Sequence, residues 1–302
     1  MRLTRSKVAD LRSAGEGNIG GSHTVVPPLV DRATADGSVD IRMLGPISIT
    51  LRGESIMPTA GKPRQLLVLL ALRYGQVVPV STLMEELWGD VIPRSGMTTL
   101  QTYVMQLRRL IGGSLPADSQ RVAKELLVTR FNGYQLMATP RSWDLHEFER
   151  LAADGETALD LGDAVSASKY LGQALDLWRG PALADVPTGR MLATEAIGME
   201  EARMRVHQRR IVADFSLGKH DVVIPELRML VVQNPMHENF CALLMIALQR
   251  SGAAWRALEV FRNLRTTLIE EFGVEPSGRL QELHQAVLSN TPELSLRSYG
   301  LV

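Results

Sequence analysis

The stretch RSGMTTLQTYVMQLRRLIG, residues 94–112, decides the reading of the chain. Taken as a helix, it sets Leu100, Val104, Leu107 and Ile111 at successive spacings of four, three and four. One apolar stripe results, and the spacing predicts that this face is buried. The opposite face presents Thr98, Thr99, Thr102, Met105, Gln106 and Arg109, with Arg108 on its flank, and the stretch holds no Asp or Glu. Hydroxyls and amides complement base edges, and guanidinium groups complement phosphate or guanine, so such a face suits the major groove of duplex DNA. A solvated surface helix shows the same pattern when taken alone. The flanking sequence separates the two readings.

Upstream, IRMLGPISITLRGESIMP (residues 41–58) alternates as two or three short strands broken at Gly45-Pro46 and Gly53. Residues 62–74 place Leu66, Leu67, Leu69, Leu70 and Leu72 in a helix sunk in a core. Lys62 and Arg64 stand at its N-terminal end. Backbone N–H groups and the positive helix pole make that a phosphate clamp, ordinary exposed charges being the alternative. Pro79, Val80 and Ser81 open a second helix, with Ser81 as its N-cap, Glu85 and Glu86 in its body and Gly89 at its end. A short loop with Pro93 joins it to residues 94–112, which makes a helix-turn-helix arrangement. A polar loop at residues 112–124 follows, then LLVTRFNGYQLMA (residues 126–138), in which Asn132-Gly133 signals a tight hairpin with positive φ at both turn positions. A hairpin after a recognition helix is a wing. Strand, helix, helix, helix, hairpin is the winged-helix plan, with an extra N-terminal sheet in the subclass typified by OmpR.

The 302 residues suffice for two or three domains, and 45% hydrophobic with 22% charged residues is an ordinary soluble composition. The formal charge of +0 conceals an asymmetry: residues 41–138 hold 11 Lys and Arg against 6 Asp and Glu, whereas residues 139–302 hold 17 against 22. A basic domain joined to an acidic one points to a polyanion bound at one end. The single cysteine, Cys241, excludes an intramolecular disulfide and a thiolate zinc cluster, and its apolar surroundings FCALLMIAL predict a buried inert thiol. No signal-peptide pattern or long apolar run is present, so a cytoplasmic location without membrane contact is expected. Residues 1–39, rich in glycine and without a period, read as a disordered arm; Arg2, Arg5, Lys7 and Arg12 either touch DNA phosphates or reflect a start codon set too far upstream.

From about Trp143 the acidic half reads as helix after helix, for a mainly α chain. Its turns fall at Leu161-Gly162-Asp163, Leu217-Gly218-Lys219 and Arg250-Ser251-Gly252, and Gly218 to Gly252 spans 34 residues, the tetratricopeptide period. Residues 177–187 interrupt the repeat. Such a stack offers a concave surface for a peptide, a helix or an effector, or serves dimerisation. Residues 291–302 read as a flexible tail. No nucleotide, metal or hydrolase motif occurs, so neither catalysis nor a cofactor is expected. His146 with Asp144 and Glu147, and His207 with Glu200 and Glu201, read as solvated helix faces, and the four tryptophans as mostly core or turn residues.

LWGDVIPRSGMTTLQTYVMQLRRLIG and LLVTRFNGYQL resemble the DNA-binding domain of the Streptomyces antibiotic regulatory proteins, and residues 143–290, with Trp178-Arg179-Gly180-Pro181 and Asp185-Val186-Pro187, resemble the activator domain that accompanies it. With residues 40–139 as the winged domain, the resemblance implies a dimeric activator of an antibiotic gene cluster that binds direct repeats in double-stranded promoter DNA near the −35 element and recruits RNA polymerase holoenzyme through its sigma factor and other subunits. Glu85, Glu86 and the loop to Arg94 are then expected to face the polymerase. By position in the plan, Thr102 and Gln106 read base edges. Arg94, Thr98, Thr99, Tyr103, Arg108, Lys62, Arg64 and Arg130 contact phosphates, Arg109 does either, and Asn132 lies in the wing. Gln135 stands where OmpR-type wings often carry arginine, which removes the usual minor-groove reader. The alternative is a tetratricopeptide-like scaffold whose winged domain binds no DNA.

Overall fold

The computed structural model describes residues 38–115 and 120–291, together with Leu296 and Tyr299. Residues 1–37 of the expected arm lie outside the described residues, as does most of the expected tail, but Leu296 and Tyr299 pack against the C-terminal core.

Strands β1 (Val39–Arg42), β2 (Ser48–Leu51) and β3 (Glu54–Ser55) are antiparallel neighbours. Val39, Ile41, Ile49 and Leu51 are buried, as the alternation requires. Helix α1 (Gly61–Leu72) covers this core with its leucines, and β4 (Val78–Pro79) leads into α2 (Val80–Trp88) and α3 (Gly96–Gly113). Ser81 does not cap α2. The helix begins one residue earlier, and the Val80 N–H donates to the Asn132 carbonyl at 3.0 Å. The expected polar loop after α3 is instead partly helical: α4 spans Gln120–Leu126, and Ala123 is buried. Arg121, Lys124 and Glu125 obscure that short apolar turn in the sequence.

The wing is β5 (Leu127–Arg130) and β6 (Gly133–Leu136), in a sheet of order β4-β6-β5. Its turn lies one residue before the expected one: Arg130 pairs with Gly133, so the link is Phe131-Asn132, and of these only Asn132 has positive φ, at 61°. Gly133 serves a different need. A Cβ there would sit 2.6 Å from the Val78 carbonyl oxygen, so glycine lets β6 close on β4. The paired positive φ values of a mirror-image turn occur instead at Arg52 and Gly53, between β2 and β3.

β7 (Pro140–Trp143) runs parallel to β1 and completes a sheet of order β3-β2-β1-β7, so the residues between the two expected domains, and Trp143 with them, belong to the first domain's sheet. Arg141 and Ser142 donate to Asp40 and hold its carboxyl below the ordinary carboxylate range.

Helices α5 (Asp144–Asp160), α6 (Ala164–Asp176), α7 (Arg190–Ser216), α8 (His220–Gln233), α9 (Glu238–Arg250), α10 (Ala254–Phe272) and α11 (Gly278–Leu288) follow. Gly162, Gly218 and Gly252 all have left-handed φ, between 73° and 80°, so each expected turn is a glycine helix stop. α9 is buried on every side from Phe240 to Leu248. Cys241 lies within it, and burial, aided by Glu238, pushes its thiol up to about 12.

The two domains share one core. Leu183, Val186 and Leu192 from the helical half pack with Leu66, Leu83 and Leu100. Glu86, expected at the surface, is 2% exposed. Its carboxylate accepts from the backbone N–H groups of Gly189, Met191 and Leu192 at 2.7, 2.8 and 3.3 Å. Helix α7 has no side-chain cap of its own, so this carboxylate from α2 caps it and neutralises its positive pole. The Gln65 amide donates to both the Glu86 carboxylate and its carbonyl. A Cβ on Gly189 would fall 2.1 Å from the Glu86 carbonyl oxygen, so only glycine permits this approach. Asp144 and Asp185 act likewise. Asp144 accepts from Met43 and Leu44 N–H and pairs with Arg179 at 3.1 Å, so it is not a solvated residue. Asp185 accepts from Ile47 N–H at 2.8 Å. His207 likewise turns inward, to Glu226, and Glu200 accepts from Ala182 N–H, whereas Trp255 is 64% exposed.

Two outcomes follow from this packing. Glu86→Ala strands three helix-start N–H groups and leaves the Gln65 amide only the backbone carbonyl of residue 86, and denaturant unfolding should show a loss of about 3–5 kcal/mol, against less than half of that for Glu86→Gln. Cys241 should resist a thiol reagent at about pH 8 in the folded chain and react on denaturation; prompt labelling of the native protein would contradict its placement.

Candidate nucleic-acid interface

Helix α3 stands on the buried stripe Leu100, Val104, Leu107 and Ile111, each no more than 2% exposed. That seating turns Thr98, Gln101, Thr102, Met105, Gln106 and Arg109 to solvent. Thr102 Oγ1 donates to the Thr98 carbonyl at 2.9 Å and Thr99 Oγ1 to the Ser95 carbonyl at 3.0 Å. Those bonds use the hydroxyl protons and leave oxygen lone pairs facing outward at Thr102. Arg94 is exposed in the turn before α3.

Lys62, Trp88 and Tyr103 form a pile at the junction of α1, α2 and α3. The Lys62 ammonium lies 4.9 Å over the indole, and the Tyr103 ring stacks on Trp88 at 6.3 Å with an interplanar angle of 14°. Lys62 remains half-buried at the start of α1. Among the described residues its ammonium meets the Trp88 ring by cation–π attraction and no carboxylate.

Two expected phosphate contacts have other work. Arg64 pairs with Asp185 at 2.7 Å across the domain junction, which removes it from the groove-facing set. Arg108 donates through Nε and Nη2 to the Leu127 carbonyl at 3.0 and 2.8 Å and through Nη2 to Thr129 Oγ1 at 2.8 Å, and its burial lowers its pKa. It therefore fixes the wing to the recognition helix. Sequence spacing places each arginine on its helix without showing which neighbour it meets.

In the wing, Arg130 is exposed and donates to the Gln135 side chain at 2.7 Å, which in turn donates to the Gly75 carbonyl at 2.6 Å. Gln135 thus braces the hairpin. Asn132 sits exposed at the tip, and beside it Phe131, absent from the expected set, is 102% exposed. The alternation that marks the strands carries no signal for a turn residue such as Phe131. The candidate interface is a carboxylate-free helix face flanked by a braced hairpin. Among the described residues no group of His, Cys, Asp and Glu is arranged to hold a metal ion, and no helix is long and apolar enough to cross a membrane.

Comparison with known proteins agrees with this geometry. The family model described as bacterial transcriptional activator domain matches residues 143–288, and that described as transcriptional regulatory protein, C terminal, matches residues 54–136. Regulatory protein DnrI of Streptomyces peucetius is 48% identical over 254 residues, covering 84% of this chain and 93% of that protein. Transcriptional regulator RedD of Streptomyces coelicolor is 35% identical over 263 residues, covering 87% of this chain and 74% of that protein. The solved structure of Mycobacterium tuberculosis EmbR in complex with low affinity phosphopeptide aligns with a TM-score of 0.76 at 28% identity, over 86% of this chain and 68% of that one. A winged DNA-binding domain fused to an activator domain, with relatives of this kind, places the chain in the Streptomyces antibiotic regulatory protein family of transcriptional regulators.

Proposed function

We propose that α3 enters the major groove of promoter DNA and that the chain thereby activates a secondary-metabolite gene cluster. The observation that carries this reading is the outward face of α3, exposed, free of carboxylates and seated on a wholly buried stripe. Thr102 and Gln106 meet base edges, with Arg109 placed for either a base or a phosphate. Arg94, Thr98 and Lys62 meet the backbone, with half-buried Thr99 and Tyr103 at the margin and Arg130 and Asn132 on the wing side. Two copies on direct repeats present two such helices. Recruitment of RNA polymerase falls to the loop between α2 and α3, where Val91 is 84% and Ile92 49% exposed. Glu86 has no part in it, being buried at the domain junction.

The test is selection of duplexes from a randomised pool by the full chain, followed by binding at several salt concentrations. Gln106→Ala should relax preference at one base pair by about 1–3 kcal/mol. Arg94→Ala should weaken all sequences alike and reduce the magnitude of the salt slope by about one. A chain that enriches no duplex and shows no salt-dependent binding would leave the scaffold alternative.

A further inference from the structure

The wing tip carries an aromatic ring that, among the described residues, packs into none of the hydrophobic cores. Phe131 is 102% exposed, in a two-residue link between β5 and β6. An isolated exposed apolar side chain is common, but this one stands on a support fixed at several points. Arg108 binds the first wing strand to α3, Gln135 joins Arg130 to the Gly75 carbonyl, and Val80 N–H holds the Asn132 carbonyl. Gly133 lies directly against β4, where a side chain would not fit. The turn therefore presents the ring at a set position relative to the recognition helix.

The surroundings suit a polyanion. Residues 126–138 contain no Asp or Glu, and Arg130 adjoins the ring. Gln135 is no reader of the minor groove, because its amide is occupied in bracing the hairpin. The tip thus offers an apolar ring beside one cation.

We propose that Phe131 enters the minor groove next to the site read by α3 and partly unstacks one base step, as apolar wedges do in minor-groove proteins. This rests on the docking of α3 in the major groove. The wedge then adds selectivity for easily unstacked pyrimidine–purine steps at a position that no side chain reads by hydrogen bonding.

The experiment uses the full chain and a duplex that the wild-type protein enriches from a randomised pool. Adenines flanking the α3 site are replaced one at a time by 2-aminopurine, whose fluorescence rises on unstacking. Wild type should brighten one step, Phe131→Leu should keep most of that signal, and Phe131→Ala should abolish it. The same Ala variant should bind about five- to tenfold more weakly with an unchanged salt slope, because no charge is lost. Thermal unfolding should not separate the three proteins, since the ring has no contact to lose. Tight wild-type binding with no brightened step, or equal brightening by Phe131→Ala, would overturn the wedge while leaving the α3 reading intact. An Ala variant that binds one site normally but fills a second site poorly would also overturn it, because the ring would then contact a neighbouring copy. Failure of wild type to enrich any duplex would remove both readings.

Discussion

A single buried carboxylate holds the molecule in its working form. Glu86, on the first helix of the helix-turn-helix, accepts from three backbone N–H groups at the start of α7 and from the Gln65 amide. A charge taken out of water is costly unless its lone pairs are filled, and here hydrogen bonds and the positive pole of a 27-residue helix fill them. The same contact satisfies helix-start donors that would otherwise be buried without partners. Each side therefore needs the other, and the arrangement of α2 against α7 follows from that need.

Asp144 and Asp185 repeat the device on the link between β1 and β2. Asp144 accepts from the Met43 and Leu44 N–H groups and Asp185 from the Ile47 N–H, and each also pairs with an arginine, Arg179 and Arg64 respectively. The residues between α6 and α7 contribute Leu183 and Val186 to the winged domain's core, and β7 adds a strand to its sheet just before α5 begins. The recognition helix is thus displayed on one continuous body rather than at the end of a tether.

Much of the fold was legible because it rests on local periodicity. The four-three-four stripe of α3, the alternation of β1 and β2 and the three glycine turns of the helical half all fell where residue spacing placed them. What was not legible depends on partners distant in sequence. Glu86 is one of two adjacent acidic residues on an amphipathic helix, and nothing within α2 says that its neighbour Glu85 faces solvent while Glu86 meets a helix start more than a hundred residues away. Arg64 and Arg108 were placed on the correct helices but not with their actual partners, since the Asp185 carboxylate and the Leu127 carbonyl reach them only through tertiary structure. The wing turn moved by one residue because Gly133 is required by β4 rather than by the turn itself. Phe131 obeys no period and became visible only as exposed surface.

Scanning calorimetry of the full chain, alone and saturated with a duplex that it enriches, tests the central claim most directly. With the winged and helical halves joined through Glu86, Asp144 and Asp185, residues 38–291 should unfold in one transition whose calorimetric and van't Hoff enthalpies agree. Bound duplex should raise that whole transition as a unit, because ligand energy at α3 is shared by every segment that unfolds with it. Two separate transitions, of which DNA shifts the winged one alone, would contradict the account.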